Sequence, residues 1–297
     1  NRVDSENGNG NWVLEDGRYY LRTGVENYTK YSEVKIDRTI VIRGDVTICL
    51  NGQTLESSAK DQPVFLVEAD STLTLTDCKG NMGKVKHTSD GSGSGVKVES
   101  GGTFNMYGGT IKNNTAKNGG AFFSTTGGTI NMTGGTISGN TATMNSNDAG
   151  GGAIYMRGNG KINISGSAKI NSNTASRWGG AICLRQDSNQ STMLYMRGGE
   201  ISDNRANSEG GAVHVFDKDC QFFLYDGKIT GNTSGDGGAI YLNQEPSWLI
   251  MQGGEISGNT ATGNGGGVYI YRTGSVCQLY GGKIENNKAS GNGGGIY

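Results

Sequence analysis

Proline and histidine are nearly missing from the 297 residues: there are two of each, Pro63 and Pro246, His87 and His214. Cysteine is scarce and widely spaced, at Cys49, Cys78, Cys183, Cys220 and Cys277. With no CxxC pair and only two histidines, a zinc site of Cys/His type is excluded. Neither sign of charge is in excess: 26 Lys and Arg face 27 Asp and Glu, a net charge of −1. That removes the basic footprint expected of a nucleic-acid binder. No apolar run approaches membrane-spanning length, so this stretch is not expected to insert directly into a membrane. No signal peptide is visible at Asn1, as expected for a mature piece of an exported protein. Apolar residues at helical period over helical length are also missing. What is abundant is glycine, with 53 residues.

The glycines keep time. GGA-φ strings, with φ apolar, occur at Gly119–Phe123, Gly151–Tyr155, Gly179–Cys183, Gly210–His214 and Gly237–Tyr241, and continue as GGGVY and GGGIY to Tyr297. Their third residues, 121, 153, 181, 212, 239, 267 and 295, are spaced by 32, 28, 31, 27, 28 and 28. A second marker, Ile-x-x-Asn, keeps the same beat and gives a row at Asn114, Asn140, Asn173, Asn204, Asn232, Asn259 and Asn287. A period of this length indicates a solenoid, propeller or array.

Within each period, segments such as TFNMY, TINMT and KINIS alternate apolar and polar residues, and Gly, Asn, Ser and Thr separate them. Short strands between turns argue an all-β fold. A propeller blade would need a longer unit with tight hairpins. Several short strands per coil, each lying on its copy in the next, describe a right-handed parallel β-helix of about nine turns of about 28 residues. At strand spacing the rod is roughly 40 Å long without its caps. Inward positions then form apolar ladders, one through Phe122, Ile154, Ile182, Val213, Ile240, Val268 and Ile296. Another runs through Met106, Met132, Ile164, Met196, Leu224, Met251 and Leu279. The asparagines are expected inside a turn, each amide bonding the next. The paired glycines permit positive φ at a sharp corner.

The pattern begins near Ile40, with residues 1–39 read as an N-terminal cap and 40–297 as the coil, ending within a repeat and therefore expected to continue in a longer protein. Cys49 and Cys78 lie about one turn apart and are candidates for stacked neighbours. Buried free thiols are the expected state of the cysteines.

The GGAI strings paired with φ-x-x-N strings resemble the GGAI/FxxN repeat of chlamydial polymorphic outer-membrane proteins, with isoleucine where that motif has phenylalanine. They also resemble the Gly/Asn-rich right-handed β-helix regions of large surface proteins from Gram-positive gut bacteria, as does ICLNGQTL followed by LTLTDCKGNMGKVKH. The resemblance covers about Ile40 to Tyr297. It implies an extracellular location, at a bacterial cell surface or secreted, and an adhesin-like contact with a host glycan or mucosal protein.

Pectate-lyase-like lyases and hydrolases share this fold class, which makes a carbohydrate-active enzyme the alternative; fold alone does not decide between them. Lyase chemistry needs carboxylates clustered on neighbouring turns to hold calcium, with a base beside them. There is no Asp-Asp pair and no GHG segment; the nearest cluster is Asp187, Asp217, Asp219 and Glu245, in loops after the GGA strands. No cofactor is expected beyond a Ca2+ ion held there. GNGGGVY resembles a nucleotide loop, but no Lys-Ser/Thr follows and the string recurs in every turn.

Before the ladder isoleucines the signs alternate through Lys169, Glu200, Lys228, Glu255 and Lys283, as expected of an exposed row one strand spacing apart. Counting outward, one row of expected exposed residues is Phe123, Tyr155, Cys183, His214, Tyr241, Tyr269 and Tyr297. A second places Tyr195, Phe223 and Ile250 on consecutive turns, with Arg197, Tyr225, Gln252 and Tyr280 beside them. Aligned aromatics on a rigid sheet suit stacking on sugar rings or anchoring a protein. Trp178 and Trp248 lie near turns as further platforms. The expectation is a non-enzymatic binding scaffold using this second face, or a passive stalk whose binding part lies elsewhere.

Overall fold

The computed structural model describes the strands Trp12–Glu15 and Arg18–Leu21 and residues 33–297. Most of the expected cap lies outside these residues. Trp12–Glu15 and Arg18–Leu21 pair antiparallel, and Tyr19 and Tyr20 of the second strand register in parallel with Ile48 and Cys49 of the first full coil. Among the described residues every regular element is a strand, and all other pairings between strands are parallel. The chain is a parallel β-helix of about nine turns.

Three inward-facing stacks and one short turn stack form the coil. The first stack runs from Asp45–Cys49 through Thr103–Met106 and Lys161–Ile164 to Val276–Leu279. The isoleucine stack runs from Glu33–Ile36 through Thr110–Lys112 to Lys283–Glu285. In two coils the chain passes from one to the other as single strands, Met193–Ser202 and Gln221–Thr230, with an irregularity after Met196. The GGA stack holds nine strands, from Ile40–Ile42 to Val268–Ile270. Two-residue strands from Thr115–Ala116 to Lys288–Ala289 form the turn stack.

Alternation decides what is buried. In Thr103–Met106, Phe104 and Met106 are buried while Thr103 and Asn105 are partly exposed, and Thr129–Met132 repeats the pattern. Both expected ladders exist, with the registers Met106 to Met132 to Ile164 to Met196 to Leu224 to Met251, and Phe122 to Ile154 to Ile182 to Val213 to Ile240 to Val268. Leu279 and Ile296 continue them but stay exposed on the last coil.

The asparagine row is a hydrogen-bonded spine. Asn114, Asn140, Asn173, Asn204, Asn232 and Asn259 are fully buried. Asn140 donates from Nδ2 to Oδ1 of Asn173 at 2.9 Å, to the carbonyl of Ile111 at 3.0 Å and to that of Ser138 at 3.2 Å. Its own backbone N–H reaches the Asn173 Oδ1 at 2.9 Å. The turn thereby satisfies buried backbone groups that would otherwise be costly. The corner at each GGA string needs glycine twice over. Gly179 sits at φ +61, where a Cβ would meet the Ile182 carbonyl, and a Cβ on Gly180 would meet the Gly211 carbonyl of the next coil.

Two of the five cysteines depart from the expected thiols. Cys49 and Cys78, with Cα atoms 6.2 Å apart on adjacent coils, form a disulfide. Cys183, Cys220 and Cys277 are free.

Candidate binding face

The outward face of the first stack changes character along the rod. In its early coils the registered row is Thr74, Asn105, Asn131 and Asn163. These side chains bond one another: Asn131 donates to Asn105 and Asn163 donates to Asn131, each at 2.8 Å. From the next coil the same row reads Tyr195, Phe223, Ile250 and Gln278. A polar, self-paired surface gives way to a partly exposed apolar one.

Tyr195 and Phe223 stack with ring centroids 5.0 Å apart and planes 8° from parallel. Tyr225 lies 6.2 Å from Phe223, and the Arg197 guanidinium sits over Tyr195 at 5.0 Å and over Tyr225 at 4.6 Å. Strand spacing sets the ring separation, so the sheet itself preorganises the stack. Trp248 and Ile250 follow on the next coil, both partly exposed, and Tyr280 on the last coil is 71% exposed.

Beside this face runs a trough of about 830 Å³ where the chain bends from the first stack to the isoleucine stack. Its lining includes Gly198, Gly227, Gly254 and Gly282, one from each successive coil, with the side chains of Lys169, Glu200, Lys228, Glu255 and Lys283. These five charges are in register, Lys169 with Glu200, Glu200 with Lys228, Lys228 with Glu255 and Glu255 with Lys283. Among the described residues they close no ion pair with one another. They line the trough as solvated charges of alternating sign.

The GGA stack's outward row differs from expectation. Tyr155, Cys183 and His214 are fully buried and Tyr241 is 4% exposed; only Phe123, Tyr269 and Tyr297 reach solvent. Loops cover the row. Asp148, from the segment before Gly151, accepts a hydrogen bond from the Tyr155 hydroxyl at 2.7 Å. Trp178 stacks on His214 at 5.6 Å, and Phe216 packs on both at 4.6 and 5.2 Å. Trp178 is itself buried at 5% exposure, so it is an anchor of this cover and does not join the Tyr195 face. Burial pushes the Cys183 thiol up to about 12 and holds the His214 imidazole below its ordinary value, the Glu209 contact at 3.1 Å opposing the latter.

Two of the four acidic loop residues are held by neighbouring cations. Asp217 accepts from Arg185 Nε at 2.7 Å and from the Gln186 backbone at 2.9 Å. Asp187 faces Arg157 at 3.5 Å. Asp219, at φ +61, donates its N–H to the Pro246 carbonyl of the next coil, and exposed Glu245 lies against Gly274. Among the described residues no three His, Cys, Asp or Glu side chains come together as a metal site.

Comparison with known proteins bears on which part of the coil is framework. Residues 167–185, 227–243 and 283–297 match the Chlamydia polymorphic membrane protein repeat. In these three segments the chain is similar to that repeat. Each matched segment starts at the isoleucine strand, passes through the asparagine turn and ends at a GGA strand. The stretches between them, 186–226 and 244–282, contain Tyr195, Arg197, Phe223, Tyr225, Trp248, Ile250 and Tyr280. The matched segments hold Asn173, Asn232 and Asn287 of the spine, and none of them contains a residue of the aromatic face. No curated protein and no solved structure matches the chain.

Proposed function

We propose that this chain is the extracellular part of a bacterial surface adhesin, a rigid non-enzymatic scaffold that contacts host glycans or mucosal proteins. The contact surface is the outward face of Tyr195, Phe223, Ile250, Arg197, Tyr225, Trp248 and Tyr280. The observation that carries this reading is the stacked Tyr195–Phe223 pair, held by the sheet beside a glycine-lined trough and outside the matched repeat segments. Aromatic rings with a neighbouring guanidinium serve both sugar stacking and protein anchoring. The trough runs coil by coil along the rod and suits an extended chain lying beside the rings. The polymorphic membrane protein repeat supports a cell-surface location, and the Cys49–Cys78 disulfide is of the kind that persists in oxidising compartments.

The test is a screen of the purified protein on a host glycan array and a panel of mucosal proteins including immunoglobulins. A saturable hit supports the reading. Silence on both, with the protein folded, favours a passive stalk, and release of oligosaccharides from polysaccharide substrates would favour the lyase or hydrolase alternative.

A further inference from the structure

The coil is most irregular where the spacing between GGA strings reaches 32 residues, between positions 121 and 153. Insertions in a solenoid gather on one face, often the binding face. Here the extra residues, within 143–150, bring Asp148 onto the outward Tyr155 of the GGA stack and give Met144 and Asp148 to the lining of a cavity of about 430 Å³. Phe123 lies in its lining, half-buried, its ring stacked on Tyr155 at 5.6 Å. Met144 of the inserted segment and Pro63 from an earlier coil add apolar surface. The inserted wall is pinned. Asn118 donates from Nδ2 to the Asp148 carbonyl at 2.8 Å and accepts the Gly150 N–H at 2.9 Å.

Two cations share this lining, Lys97 and Lys117. Lys97 is in register with Phe123, and its one ion pair among the described residues is a 4.0 Å contact with Glu99. Lys117 is exposed and forms no ion pair among the described residues. Of the two acids present, Asp148 is drawn away to Tyr155 at 2.7 Å and Arg185 at 3.5 Å. Asp61 is the other acid of the lining, and it closes no ion pair with either lysine among the described residues. The cavity is in the size range of small-ligand sites.

We propose that this cavity is a second binding site, for a single pyranose carrying a carboxylate. Phe123 meets the apolar face of the ring, and Lys97 and Lys117 hold the acid group. The volume and the inserted wall fit one sugar unit, free or at a glycan terminus, in contrast to the open trough on the other face. The site does not depend on the Tyr195 face.

Saturation-transfer NMR on the purified protein tests it with glucuronate, galacturonate and N-acetylneuraminate, against neutral glucose and galactose. The expected result is saturable transfer to at least one acidic sugar, little to the neutral ones, and weakening of about ten-fold in Lys117→Glu or Lys97→Glu. A Tyr195→Ala, Phe223→Ala double variant should bind the acid unchanged, which separates this site from the proposed adhesive face. Equal binding of neutral sugars, no saturable transfer to any acid, or binding indifferent to both lysine variants would overturn the proposal.

Discussion

Asn204 donates from Nδ2 to Oδ1 of Asn232 at 3.0 Å, and its backbone N–H reaches the same oxygen at 2.9 Å. Its own Oδ1 accepts the corresponding pair from Asn173 at 2.9 and 3.0 Å. One side chain thus completes the turns of two neighbouring coils, with no solvent to replace it.

Replacing it by Asn204→Leu strands the Asn173 backbone N–H and the Ile170 carbonyl, which Nδ2 bonds at 2.9 Å, and takes one of its acceptors from Asn173 Nδ2. Each buried group left without a partner costs about 1–3 kcal/mol, so the variant should lose roughly 3 kcal/mol or more. Lys228→Ala, on the solvated charge row, should lose well under 1 kcal/mol. Urea denaturation of the two variants side by side reads the difference, and equal midpoints would contradict the spine.

His214 sets a pH dependence. Burial holds its imidazole below the ordinary 6.5, so the unfolded chain takes up a proton before the folded one does. The unfolded state then binds more protons below about pH 6.5, and stability falls as the solution is acidified, by up to about 1.4 kcal/mol per pH unit until the folded imidazole titrates. His214→Phe keeps a ring between Trp178 and Tyr241 and should flatten that slope between pH 7 and pH 5. An unchanged slope would show that the charge on His214 does not matter to folding.

Thiol counting checks the cysteine assignment. Non-reducing denaturant should expose three thiols, those of Cys183, Cys220 and Cys277. Prior reduction should raise the count to all five cysteines. In the native protein Cys183 and Cys220, each pushed up to about 12 by burial, should react far more slowly than a free thiol near neutral pH. Five thiols without reduction would remove the Cys49–Cys78 bond.

Where a feature repeats, the sequence shows it. The Ile-x-x-Asn beat places the spine, and the Met106 and Phe122 ladders follow from alternation, because each coil supplies the neighbours of the next in fixed register. The row containing Tyr155, Cys183 and His214 defeats that reasoning. Alternation correctly points these side chains outward, but they are covered by Asp148, from an inserted segment, and by Trp178 and Phe216, large rings at positions that neighbouring coils fill with other residues. The Phe123 cavity has the same origin, and its one visible trace in the sequence is the 32-residue step. The acidic loop residues were legible as neighbours on successive turns; the pairing of Asp187 with Arg157 and of Asp217 with Arg185 required the coordinates.

The most direct measurement compares the two ends of one sheet face. Tyr195→Ala with Phe223→Ala removes the aromatic end, while Asn105→Ala with Asn131→Ala alters the polar end of the same registered row. Both proteins should stay folded by circular dichroism, and each is assayed for saturable binding to the best ligand from the glycan and protein screen. The account predicts that binding is lost in the aromatic pair and kept in the asparagine pair. Undiminished binding by a folded Tyr195→Ala, Phe223→Ala protein would contradict it.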